Sequence, residues 1–337
     1  MNIFITGING FIGSNLARYL VAMGHRISGS VRPTSDRSFI ADLPLQLFVG
    51  DIGEPEFLTR VFMGQDIVFH IAALASDWGT METFHRINVL GTMNVAKAAQ
   101  LAKIQRLVYL SSTAVYGFAG YRQRVESDPK PATNFPYATT KLQAETWLRD
   151  FGQQNDLPVT IIQAANVYGP HDRTFFLKFA PALEKGLIPL INRGQAWTCP
   201  TYVENLVYAL WLAANHPRGI GETFIISDDL EINWAQFVAA LCQQLSVRAP
   251  RLSASFSVAY GLASLIEGIY KLLRLRQEPI LSRYRICNFG IDYHFSIQKA
   301  RNMLGYSPPI GLEEAIRRTV AWYRHYQEGK RHESGSR

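Results

Sequence analysis

The sequence predicts an α/β protein: a doubly wound parallel sheet with a smaller, mainly helical C-terminal substrate domain. Three observations carry this. In the first half, short apolar runs alternate with stretches whose apolar residues recur at helical spacing. A glycine-punctuated turn, "TGINGFIG", follows the first of those runs. After residue 165 the alternation weakens and helical patterns take over, broken by Gly169-Pro170 and Pro308-Pro309. A chain of 337 residues is long for one simple domain and fits a main body with a second unit.

The expected strands are 2–6, 26–32, 45–50, 67–70, 107–111 and 159–163. Between them lie sets such as Ile12/Leu16/Tyr19/Leu20 and Val89/Met93/Val95/Ala96/Ala99, which share a helix face. Strand–helix alternation places helices on both faces of a parallel sheet, and right-handed crossovers wind it in both directions. Ligands of such sheets sit at the carboxyl ends of the strands. That rule selects 6–13, Arg32, Asp51, Ala72–Ala73, 111–113 and 166–170. The dinucleotide domain is expected over 1–165, with return of a strand and helix from about 196–227. The substrate domain takes 166–195 and 228–328, and 329–337 reads as a flexible tail.

Apolar content of 47% and charged content of 18% suit a globular protein with a large core. The net charge of +7 is scattered rather than striped, which argues against nucleic acid and for anionic cofactors or a membrane surface. The three cysteines, Cys199, Cys242 and Cys287, form no C-x-x-C and no disulfide framework; buried thiols in a reducing compartment are expected. The start of the chain lacks a charged leader, and no apolar run approaches the ~20 residues of a spanning helix. A soluble cytoplasmic protein is expected.

In "TGINGFIG" the glycines fall three apart, G-x-x-G-x-x-G, with a strand before and a helix after. Gly7 turns the chain out of the strand, Gly10 lets backbone approach a pyrophosphate, and Gly13 lets helix and sheet pack closely. Phe11 and Ile12 open the apolar face of that helix, whose N-terminus favours an anion. With Asn9 they complete the expected phosphate-binding set. The second strand ends in "SGSVRP", without the acid that would bond a ribose hydroxyl of NAD. Ser30 and Arg32 stand there, with Arg37 near, and a guanidinium pairs well with a phosphate. NADP(H) is therefore expected over NAD(H). Asp51 and Ile52, after the third strand, are placed on the adenine side.

"PYATTKLQAE" sets Tyr137 and Lys141 four apart, on one helix face. A tyrosine titrates near ~10, and a neighbouring ammonium should favour its phenolate. Upstream, "YLSSTAVYG" puts serines at the end of a predicted strand, where a hydroxyl can hold a carbonyl oxygen. With "HIAA", "INVLGTMNV", "LSSTAVYG", "YATTK" and "NVYGP" in this order, the chain resembles the extended short-chain dehydrogenase/reductase superfamily over nearly its whole length. The resemblance implies a Rossmann domain and hydride transfer between a nicotinamide and a substrate carbon. It makes Tyr137 the general acid/base, Lys141 its tuning partner and a ligand of the nicotinamide ribose, and Ser112 rather than Ser111 the catalytic hydroxyl. Gly7, Gly10 and Gly13 would carry the pyrophosphate, Ala72 and Ala73 would line the adenosine side, and Asn88 would buttress the site. A homodimer through the helices near Asn88 and Tyr137 is likewise implied.

Within that superfamily, sugar-nucleotide enzymes carry basic residues where this chain has Gln163-Ala164 and Trp197, Cys199 and Pro200, and dehydratases want acids where Thr113 and Ala114 stand. "ASDWGTMETFHRINVLGT" and the segment 293–324 look like the 3β-hydroxysteroid dehydrogenase branch, whose members act on large apolar alcohols or ketones. Asp77, Trp78, Thr113, Asn166 and Tyr168 are the expected substrate residues. The stretch 256–276 is rich in Tyr, Leu and Ile, with Lys271, Arg274 and Arg276 on other faces. It reads as a packed helix, as the roof of an apolar pocket, or as a peripheral membrane contact. His70, His85, His171 and His294 show no metal spacing, and no metal is expected. The expected function is NAD(P)-dependent interconversion of a secondary alcohol and a ketone on a steroid-like or long-chain 3-oxo/3-hydroxy substrate. The alternatives are a nucleotide-sugar epimerase or reductase and a non-catalytic NADP sensor.

Overall fold

The computed structural model describes residues 1–275 and 277–335. Seven strands form one parallel sheet: β1 (Asn2–Thr6), β2 (Arg26–Val31), β3 (Gln46–Val49), β4 (Ile67–His70), β5 (Arg106–Ser112), β6 (Val159–Ala164) and β7 (Thr223–Ile226). Their spatial order is β7-β6-β5-β4-β1-β2-β3. The order reverses at β1, between β2 and β4, and this switch point is where a doubly wound sheet opens a crevice. The six expected strands match to within one residue at each end.

Helices α1 (Phe11–Ala22), α2 (Pro55–Phe62), α3 (Gly91–Leu101), α4 (Pro136–Gln154) and α5 (Val203–Asn215) cover the two faces. One layer joins α1 and α5 to the sheet through Leu16, Leu20, Leu206 and Leu210; the other joins α2, α3 and α4 through Leu58, Val95, Ala144 and Leu148. Apart from the edge strand β3, the strands are buried on both faces, as a parallel sheet covered by helices requires. The stretch 196–227 supplies α5 and β7 to this body.

The remaining chain builds a smaller unit from α6 (Trp234–Leu245), α7 (Phe256–Leu272), α8 (Arg283–Gly290) and α9 (Leu312–Gly335), with the helix Phe176–Glu184. Its core gathers Phe176, Phe179, Trp234, Phe237, Leu241, Ile316 and Tyr323. Short parallel pairs tie the units together, notably Asn166–Tyr168 with Pro200–Tyr202. The expected tail from 329 begins inside α9, which runs on to Gly335 because no proline or capping residue stops it; 336 and 337 lie outside the described residues. The expected helix over 256–276 ends at Leu272, and Arg276 lies outside the described residues. The three cysteines are free and buried. Among the described residues no helix is long and apolar enough to cross a membrane, and no cluster of potential ligands could hold a metal.

Candidate active site

At the glycine turn, Gly7 adopts φ +70°, and a Cβ there would meet the Ala72 backbone at 2.9 Å. At Gly13 a Cβ would lie 2.1 Å from the Gly7 carbonyl oxygen, so glycine alone lets α1 descend onto the turn. α1 starts at Gly10 with no side-chain cap and no acid in its first turn, leaving amide N–H groups free to face an anion. Phe11 and Ile12 are half-buried against the small unit, and the Asn9 amide donates to the Asp36 carbonyl (3.0 Å). The Arg32 and Arg37 guanidinium groups are exposed at the end of β2, without an ion pair among the described residues. Asp36 nearby is neutralised by Arg173 at 2.6 Å. Asp51 accepts from Gly53 N (2.8 Å), and Ile52 is held by the Asn94 amide (3.1 Å). The half-buried Ala72 and Ala73 follow β4, and Ala72 N donates to Thr6 Oγ1 (3.1 Å). A cradle that any Cβ would fill, an uncapped helix N-terminus and two unpaired guanidinium groups suit a dinucleotide.

Behind this cradle runs a buried chain of polar groups. Thr92 donates to Asn88 O (2.7 Å) and sits 2.9 Å from His70 Nε2, while Thr6 lies 2.8 Å from His70 Nδ1. Only a neutral imidazole protonated at Nε2 satisfies all partners at once. Burial drives this histidine down to about 3. Asn88 accepts from Leu74 N (2.8 Å) and donates to Thr140 (3.2 Å), tying the loop after β4 to α4. His70 is thus a structural residue of the core.

Ser112 ends β5 and Tyr137 opens α4. Both side chains face one cleft, and Ser112 Oγ accepts from Ala114 N (3.1 Å). Strand alternation turns Ser111 the other way, where it is buried. Burial pushes the Tyr137 phenol up to about 12, partly offset by the Ser112 hydroxyl. The expected lowering by Lys141 is absent. Lys141 is 2% exposed, its Nζ donates to Leu110 O (2.6 Å), and it lies 4.2 Å from the centre of the Tyr109 ring. Burial takes it down to about 7, against the opposing charge of Glu145. A group so close to losing its proton exerts little pull on a neighbour.

Glu145 lies a further turn along α4 and is fully buried. Both its oxygens accept from Gln163 Nε2 (2.9 Å each), and Lys130 stands 3.7 Å away. Gln163 therefore belongs to the packing behind Lys141. Its side chain is committed to that buried carboxylate and does not line the cleft.

In front of Ser112 and Tyr137 opens a cleft of about 270 Å³. Phe175, Tyr168, Trp234, Phe237 and Phe289 form much of its wall. Asn166 and Asn288 exchange amide bonds (3.1 Å each way) across it. At the rim Arg285 reaches Asp77 (2.9 Å) and Glu278 (3.0 Å), and Glu278 also pairs with Lys178 (2.8 Å). Although burial raises it, Glu278 is pulled to about 2 by Lys178, Ser76 and Arg285. Asp77, Asn166 and Tyr168 line the cleft as expected residues; Trp78 and Thr113 do not. The Trp78 indole donates to Leu275 O (3.2 Å) and packs edge-on against Tyr270. Thr113 is buried under the strand end, 2.8 Å from the Tyr293 hydroxyl. Sequence reasoning missed Tyr284, Arg285, Asn288 and Phe289 of α8, which carry no motif.

The family model described as the NAD dependent epimerase/dehydratase family matches residues 3–227, which include the glycine turn, Ser112, Tyr137 and Lys141. The chain belongs to that family. A 2-alkyl-3-oxoalkanoate reductase of Stenotrophomonas maltophilia is 31% identical over 334 residues, covering 95% of this chain and 99% of that protein. A decarboxylating sterol-4-alpha-carboxylate 3-dehydrogenase of Mus musculus is 26% identical, covering 97% and 92%. The solved structure of MoeE5 in complex with UDP-glucose and NAD superposes with a TM-score of 0.75 at 25% identity, covering 97% of this chain and all of that one. Within the NAD dependent epimerase/dehydratase family, these relatives frame the choice between an apolar ketone and a nucleotide-sugar.

Proposed function

We propose that this enzyme interconverts a secondary alcohol and a ketone on a mainly apolar, long-chain 3-oxo/3-hydroxy or steroid-like substrate, with NADP(H) favoured over NAD(H). The observation that carries the reading is the Ser112–Tyr137 hydroxyl pair opening into an aromatic-walled cleft with Lys141 buried behind it. Gly7, Gly10 and Gly13 with the N-terminus of α1 would hold the pyrophosphate, and Asp51, Ile52, Ala72 and Ala73 the adenosine side. Arg32 would pair with the 2′-phosphate, and Tyr137 and Lys141 would hold the nicotinamide ribose. The bound dinucleotide supplies or accepts the hydride.

The residues of the chain handle the proton. A phenol kept neutral to about 12 is poised to donate to a ketone oxygen, so the ligand-free site is set for reduction. Ser112 gives that oxygen a second hydrogen bond. Lys141, near its neutral point, exchanges a proton with its surroundings at ordinary pH and reprotonates the tyrosine. At the rim, Arg285 and Lys178 are matched by Asp77 and Glu278, so their charges are already compensated. That supports an apolar substrate over a diphosphate, in line with the names borne by the two curated relatives.

The test is cofactor oxidation with a 2-alkyl-3-oxoalkanoate, a sterol ketone and UDP-glucose side by side, for wild type and Tyr137→Phe. Reduction of one of the ketones, falling about 10²–10⁴-fold in the variant, is expected. Turnover of UDP-glucose alone, or full activity in Tyr137→Phe, would overturn the reading.

A further inference from the structure

Half of the large apolar side chains exposed among the described residues fall within residues 252–280. Five of them, Val258, Leu262, Leu265, Ile269 and Leu272, lie on α7 at alternating spacings of four and three, so they form one stripe along the helix. They are 45–82% exposed. The opposite face is buried through Ala259, Ala263 and Glu267 and packs on α8, whose other side lines the cleft. Leu252 precedes the stripe, and Leu273, Leu275 and Ile280 continue it, all exposed.

Between residues 246 and 275 the exposed charges have one sign. Arg248 and Arg251 flank its start, Lys271 and Arg274 its end, and all four are exposed without an ion pair among the described residues. The single acid between residues 246 and 275, Glu267, faces inward, where it accepts from Arg283 N (2.7 Å) and Nε (2.8 Å). An isolated apolar stripe of this size needs a partner. Pairing α7 with a second copy about a two-fold axis would set one basic end against another, whether the helices ran parallel or antiparallel. An anionic lipid surface meets both requirements: acyl boundary for the stripe and headgroup charge for the flanks.

We propose that the outer face of α7 is a docking surface for an anionic bilayer, on which the 17-residue helix lies flat rather than spanning. The same surface borders the cleft: Leu275 accepts the Trp78 indole N–H, and Glu278 lines the rim. Docking of this face is independent of hydride transfer, since vesicle binding involves no turnover.

The test is cosedimentation of the full chain with vesicles of phosphatidylcholine alone, and of phosphatidylcholine with about one third phosphatidylglycerol, at about 0.05 and about 0.5 M salt. Two variants accompany the wild type, Leu262→Gln/Leu265→Gln/Ile269→Gln and Lys271→Glu/Arg274→Glu. All five positions are exposed, and circular dichroism checks the fold. Wild type should bind the anionic vesicles at least about tenfold more tightly than the neutral ones, with loss at high salt. Each variant should lose about tenfold or more of that binding. Sedimentation equilibrium without lipid should give the same mass for all three proteins. Absence of binding, equal binding to both vesicles, or binding unchanged in the variants would overturn the proposal. A lower oligomeric state in the glutamine variant would also overturn it, by assigning the face to a second copy.

Discussion

Lys141 stands in β-sheet surroundings with a carbonyl and an aromatic ring for partners, and burial brings its ammonium down to about 7 from 10.5. Between those two values the unfolded chain binds a proton that the folded chain has released, so stability rises with pH across that window. Lys141→Met keeps the volume and removes the titration. Working from the two pKa values, the wild type should gain about 2–3 kcal/mol on the variant between about pH 6 and about pH 9. Terms such as the lost bond to Leu110 O or altered packing do not depend on pH and cancel in the comparison. Asp228, which burial raises to about 7, titrates in both proteins and also cancels. Urea unfolding of both proteins at the two pH values gives the four free energies required. Below neutral pH the variant should be the more stable protein even though its turnover is lost. A stability difference that stays flat with pH, or one that moves the opposite way, would show that Lys141 keeps a well-paired ammonium in the fold and would refute the argument.

The other predictions follow from single contacts. Gly13→Ala puts a Cβ 2.1 Å from a backbone oxygen that cannot yield, so α1 must lift from the turn; a loss of about 2–4 kcal/mol in thermal or urea unfolding is expected, together with weaker dinucleotide binding by calorimetry. His70 is held neutral far below its ordinary 6.5, so its contribution to stability is complete above that value and drains away as pH falls toward about 3. His70→Gln should therefore show a shallower acid limb in a stability-versus-pH series, while losing about 1–3 kcal/mol near neutrality from the broken Thr6 and Thr92 contacts. Arg32→Ala should weaken NADP(H) about tenfold or more and leave NAD(H) nearly unchanged, read by fluorescence titration.

Much of the site is legible in the sequence because its elements are local. A glycine turn needs only the strand before and the helix after, and strand alternation alone separates Ser112, which opens to the cleft, from Ser111, which does not. Tyr137, Lys141 and Glu145 share a face of α4 by helical spacing. Their electrostatics are not local. A sequence places an ammonium one turn from a phenol, whereas the fold buries Lys141 and offers it the Leu110 carbonyl, so that it tunes no phenolate in the ligand-free protein.

By itself the sequence determined the sheet, the order of its strands along the chain and the dinucleotide cradle, because period, glycine spacing and capping act over a few residues. Tertiary structure decided the rest. It brought Asp77 to Arg285 and Asn166 to Asn288 across 208 and 122 positions. It paired Gln163 with the buried Glu145, and it turned the apolar stripe of α7 outward. Those outcomes depend on which distant surfaces exclude water together, and no local pattern records that.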